Sequence, residues 1–298
     1  MDMNHNGNKI CYTTLALGYE YNSHALKLCE DAHRLSPGTP VVVLTDRPRL
    51  FINNPNVITV KHRIQSVGIF HDKLCCIEAS LKRFQCCIFL DADCRLMSDM
   101  ANSRQWKPGL TAKVLWGLGT HIQPKKVSES AIKRQALAHE VADSLGLLID
   151  DCRFIHEAAF IVCSDNGKED QFIKSWAQIR DFLEFNGMYS GEGMAMGLAA
   201  CHASLKVYHY NRGYDCPDIK DVFKDDFFYK LIFHNDSDGL PDELCRELLR
   251  LDRDRQQRQR LPIWQKVIRK VWSPTLQKIR LARLRMINRG KIRFVDFG

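Results

Sequence analysis

The chain has 298 residues, 45% hydrophobic and 26% charged, values that allow a sizeable core and argue against wholesale disorder. Its net charge of +8 is concentrated in one place. From Asp242 onward there are 16 Lys and Arg against 6 Asp and Glu, while the preceding 241 residues hold 27 basic and 29 acidic residues, so a near-neutral body precedes a basic tail.

Apolar runs reach only five or six residues, far below the roughly 20 needed for a spanning helix. The opening "MDMNHNGNKICYTT" shows no basic segment leading into an apolar one, so a cytoplasmic chain is expected. Twelve cysteines include the adjacent pairs Cys75-Cys76 and Cys86-Cys87 in apolar surroundings, and no paired CxxC occurs. Reduced, buried thiols acting as small hydrophobes are therefore expected, without a zinc site.

In chain order, "KICYTTLAL" (9–17) is β-branched and apolar, as in a buried strand. Residues 22–35 follow with helical spacing, with Asn22 or Ser23 as N-cap. "PVVVLTD" (40–46) and "VITV" (57–60) are strands, 71–84 is a helix, and "CCIFL" (86–90) is the next strand. Beyond it come a strand at 113–119, a helix near 127–146 and a strand at 154–164. Helices near 169–186 and 191–203 precede strands at 205–210 and 230–235. Alternation of this kind predicts a mostly parallel sheet with helices on both faces and a ligand crevice at the strands' carboxyl ends.

Strand 86–90 runs straight into Asp91-Ala92-Asp93. Two neighbouring carboxylates repel unless positive charge lies between them. Hard oxygen donors at this spacing suit Mn²⁺ or Mg²⁺, which keep coordination positions for phosphate oxygens. The competing explanation is a turn whose Asp side chains satisfy local amides.

The blocks "TTLALGYEYNSHALKLCEDAHR", "VVVLTD" and "HDKLCCIEASLKRFQCCIFLDADCRL" resemble a nucleotide-sugar glycosyltransferase of the GT-A fold, of the glycogenin and galactosyltransferase-like group. "HEAAFIVCSDNG", "GEGMAMGLAA" and "LIFHN" extend the likeness over about four-fifths of the chain. The resemblance implies a Rossmann-like GT-A domain over 1–241 and a basic helical tail over 242–298. It implies a hexosyltransferase that retains anomeric configuration, using a UDP-sugar and Mn²⁺ or Mg²⁺. Asp91, Asp93 and His234 would hold the metal. The backbone of Leu15, Ala16 and Leu17, together with Tyr21, Asp46, Lys73 and Ala92, would hold the donor. Glu192 and Glu157 are the carboxylates for the acceptor hydroxyl. The sequence departs from the family where "HNDSDGLPDE" lacks the usual Lys-Pro-Trp and where Glu192-Gly193 replaces Asp-Gln.

In the tail, "LPIWQKVIRKVW" and "TLQKIRLARLRMINR" have the spacing expected of basic amphipathic helices suited to an anionic membrane surface. A peripheral location at the inner face of a membrane would fit a glycan or lipid-linked acceptor. Packing on the body or an oligomer contact is the alternative. No basic groove or aromatic platform in the body favours nucleic acid. Two rival functions are a membrane adaptor that keeps the fold without the chemistry, and a phosphatase of the haloacid dehalogenase type. The second is disfavoured because "DADCR" lacks the Asp-x-Asp-x-Thr pattern and the strand does not open the core.

Overall fold

The computed structural model describes residues 9–103, 105–124, 128–209, 228–230, 275–283 and 286. Its centre is a seven-stranded mixed sheet in the order β3-β2-β1-β4-β7-β6-β8. The strands are β1 (Ile10–Ala16), β2 (Val41–Thr45), β3 (Val57–Lys61), β4 (Cys86–Leu90), β6 (Gly109–Gly117), β7 (Arg153–Cys163) and β8 (Val207–His209). Strands β3, β2, β1 and β4 run parallel, and β7 is antiparallel to both β4 and β6. A separate ladder pairs β5 (Cys94–Leu96) with β9 (Phe228–Lys230).

All five residues of β2 and all five of β4 are buried, as expected of strands covered on both faces. Alternate residues divide between two cores. Cys11, Val42, Leu44, Cys87 and Phe89 face one side, where α2 (Lys73–Leu81), α5 (Lys168–Phe185) and α6 (Glu192–His202) cover them. Tyr12, Val41, Val43 and Ile88 face the other, beneath α1 (Gly18–Leu35) and the segment around β5. The remaining helices are α3 (Leu118–Ile122) and α4 (Glu129–Ser144). On the α1 side, Arg95 Nε and Nη2 donate to Asp31 at 2.6 and 2.9 Å, both side chains being buried.

Three expectations are corrected. Helix α1 begins at Gly18, not Asn22, and Asn22 is buried within it, donating to the Gly18 carbonyl at 2.7 Å and to Asp46 Oδ1 at 2.9 Å. Strand β6 begins at Gly109, four residues before 113, because its pairing with β7 continues to Cys163. The cysteines are not all reduced: Cys86 and Cys163, placed opposite each other by the antiparallel β4–β7 register, form a disulfide. Eight other cysteines among the described residues are free, seven of them buried, in line with hydrophobic packing.

No helix among the described residues is long and apolar enough to cross a membrane. In the tail, 275–283 is helical, with Leu276 and Ile279 exposed, and Arg280 Nη1 donates to the Val67 carbonyl at 3.3 Å. The amphipathic segment 261–272 lies outside the described residues.

Candidate active site

The strand before Asp91, Cys86–Leu90, is wholly apolar and is paired on both sides, with β1 and with β7. At its end, a main-chain bond from Cys94 N to the Asp91 carbonyl, 2.9 Å, closes a turn that leaves Asp91 and Asp93 lining one cavity of about 440 Å³. Lys73 supplies the positive charge that the carboxylates call for. It stands at the first residue of α2 and is buried, with Nζ 2.9 Å from Asp91 Oδ1, 3.5 Å from Glu192 Oε1 and 3.0 Å from the Glu157 carbonyl oxygen.

Glu192 begins α6 and Glu157 lies on β7, and the two carboxylates are brought together by close helix-strand contact. A Cβ at Gly193 would run into the Ile155 carbonyl, and one at Gly197 into the Arg153 carbonyl. Only glycine at both positions, one turn apart, lets α6 approach the β7 backbone this closely. Gly191, at φ 99°, makes the turn into the helix, and its N–H donates to Glu192 Oε2 at 3.2 Å.

Glu157 Oε2 is enclosed and has no hydrogen-bond partner among the described residues. Burial, then the neighbouring Glu192 and Asp91 charges, push its carboxyl up to about 6, against the opposing pull of Lys73.

The other wall is the segment 62–72, held by two buried carboxylates. Glu184 on α5 accepts from Val67 N and Gly68 N, each at 2.8 Å. Asp72 accepts from Ser66 N at 2.7 Å and Gln65 N at 2.9 Å and contacts His62 Nε2 at 2.7 Å. Burial raises the Asp72 carboxyl, but these hydrogen bonds together outweigh it and hold the group below its ordinary value. In Glu184 burial prevails over the two amides and the carboxyl is raised. The segment presents Ile69 in the left-handed region, φ 69°, a strained conformation for a β-branched residue. Phe70 beside it is half exposed at the cavity rim.

Of the expected residues, Leu15, Leu17, Tyr21, Lys73, Asp91, Ala92, Asp93, Glu157 and Glu192 line this one cavity. Ala16 does not, since its side chain turns into the core beneath α1. Asp46 does not line it either: its Oδ1 accepts from Gly18 N at 3.2 Å and Asn22 Nδ2 at 2.9 Å, tying β2 to the start of α1. His234 lies outside the described residues. Beyond the residues expected from sequence, the lining also includes Gly68, Ile69, Phe70, His156 and Ala158. The His156-Glu157 pair inside an apolar strand was the available signal for His156. Nothing local marks Gly68–Phe70, because Glu184, which anchors the segment through Val67 N and Gly68 N, is 116 residues from Gly68 in sequence.

Among the described residues no group of three His, Cys, Asp or Glu side chains is arranged to hold a metal ion. Asp91 and Asp93 nevertheless offer the hard oxygen donors a divalent cation prefers, and both face the same cavity. The donor set fits such an ion in kind. No family model matches this chain, and neither does any curated protein.

Proposed function

We propose that this protein is a GT-A glycosyltransferase that moves a sugar from a nucleoside-diphosphate donor, UDP-linked in the first instance, to a hydroxyl acceptor. The observation carrying this reading is the convergence of Asp91, Asp93, Lys73, Glu157 and Glu192 on one cavity beyond the carboxyl ends of β1 and β4, with Tyr21 and Leu17 at its edge. Antiparallel β7 beside the Asp-bearing strand supplies a wall of the cavity through His156, Glu157 and Ala158, and three strands precede the Asp-bearing one, which disfavours a phosphatase core opened by its Asp strand.

In this reading Tyr21, half exposed, offers a ring face to the base, and the β1 carboxyl end its backbone. Lys73 stabilises negative charge that accumulates on the departing diphosphate. Mn²⁺ or Mg²⁺, held by Asp91 and Asp93 with His234 as the third candidate, would add Lewis acidity toward the same oxygens. The bond from the sugar's anomeric carbon to the diphosphate oxygen breaks with its electron pair going to that oxygen, and a bond to the acceptor oxygen forms. The acceptor's proton passes to a carboxylate. Glu157, raised to about 6, is poised for this near neutral pH, while Glu192 Oε1 holds Lys73 at 3.5 Å.

The test is release of nucleoside diphosphate from UDP-hexoses and GDP-hexoses in the presence of Mn²⁺, with and without simple sugar acceptors. Turnover of one donor that falls at least 100-fold in Lys73→Met and in Asp91→Asn is expected. Absence of turnover and of binding for every donor would remove the transferase reading and favour an adaptor that keeps only the fold.

A further inference from the structure

A second cavity of about 380 Å³ adjoins the first and shares Phe70, Glu157 and Glu192 with it. Beyond these carboxylates its wall is apolar and aromatic: Phe154, Met188 and Met194, with His121 stacked on Phe154 at 3.6 Å between ring centroids. Ser190 is polar, and Arg134, on α4, brings a positive charge. Its Nε is enclosed, and among the described residues this nitrogen has no hydrogen-bond partner and the guanidinium makes no ion pair. Glu157 and Glu192 line the same cavity but neither forms an ion pair with Arg134, and Glu192 is engaged instead by Lys73 and Gly191 N.

A guanidinium whose Nε is enclosed and which has no counter-ion among the described residues carries a desolvation cost that an incoming anion relieves, and its fork geometry favours phosphate or carboxylate oxygens. The flat His121–Phe154 stack offers the kind of surface that the apolar face of a sugar ring covers. The cavity thus has a hydroxyl-orienting end at Glu157 and Glu192, a ring-sized apolar middle, and a cation. We infer that this cavity is the acceptor subsite and that the acceptor is a sugar bearing an anionic substituent, phosphate or carboxylate, read by Arg134. The inference rests on the transferase reading for the word acceptor, but the anion site stands on its own residues.

The experiment is ligand-observed NMR titration of glucose, glucose 6-phosphate, glucuronate and inorganic phosphate against the full chain, wild type and Arg134→Gln. UDP titration is run in parallel as a separate readout of the neighbouring cavity. Glucose 6-phosphate or glucuronate should bind at least tenfold more tightly than glucose, and Arg134→Gln should abolish that margin while leaving UDP affinity unchanged and without lowering the melting temperature. Arg134→Lys should recover part of it for phosphate and less for the planar carboxylate. Preference for the phosphate arm identifies a phosphorylated acceptor, and preference for glucuronate a uronic acid. Inorganic phosphate binding as tightly as the best sugar, equal binding of glucose and the anionic sugars, or binding indifferent to Arg134→Gln would each overturn the inference. Failure of UDP alone would instead remove the donor reading and leave an Arg134-dependent anionic sugar site standing.

Discussion

Replacing Glu157 by glutamine tests the electrostatics of the site through stability alone. The carboxyl is raised from 4.5 to about 6 by burial and by the Glu192 and Asp91 charges, net of Lys73. Because the folded-state value is raised, the neutral form is accommodated without penalty below about pH 4.5, and the penalty of ionising grows as pH rises through about 6. One unit corresponds to about 1.4 kcal/mol, so the native state is weakened by about 2 kcal/mol at pH 7.5 relative to a neutral isostere. Glu157→Gln keeps the shape and removes the charge. Urea unfolding at pH 4, 5, 6 and 7.5 should give equal stabilities for both proteins at pH 4 and a variant about 2 kcal/mol more stable at pH 7.5. A difference independent of pH, or a variant that loses ground as pH rises, would refute the assignment of a strained negative charge to this position.

Three further outcomes follow from packing and hydrogen bonding. Gly197→Ala should lower stability by about 1–3 kcal/mol in urea unfolding, because a Cβ there meets the Arg153 carbonyl and forces α6 away from β7. Glu184→Leu strips the acceptor from Val67 N and Gly68 N, which should cost about 2–5 kcal/mol and speed amide exchange at those two positions. Arg95→Met leaves the buried Asp31 carboxylate without its two-pronged partner, and a loss of about 3–5 kcal/mol in the same unfolding assay is expected.

The parallel half of the sheet was legible because β2 and β4 are uninterrupted apolar runs, so strand type and crevice position followed from local pattern alone. The start of α1 was misplaced because Asn22 has the chemistry of a cap but is used inside the helix, to bind Asp46. Strands β5 and β9, three residues each, are too short to leave a periodic signature. The Cys86–Cys163 bridge depends on the β4–β7 register, which no single strand encodes. Within the site, Asp91 and Asp93 were legible as charge ending an apolar strand, whereas Lys73 was marked only by the resemblance to GT-A transferases. Arg134, an ordinary helix arginine by sequence, becomes notable only when α4 sets its Nε beside the second cavity.

The most direct measurement is calorimetric titration of UDP into wild type and Asp93→Ala, each with and without Mn²⁺. Micromolar binding that requires both Mn²⁺ and Asp93 is the expected result. UDP binding of equal strength without the metal, or undiminished in Asp93→Ala, would contradict a metal-bridged diphosphate at the end of β4.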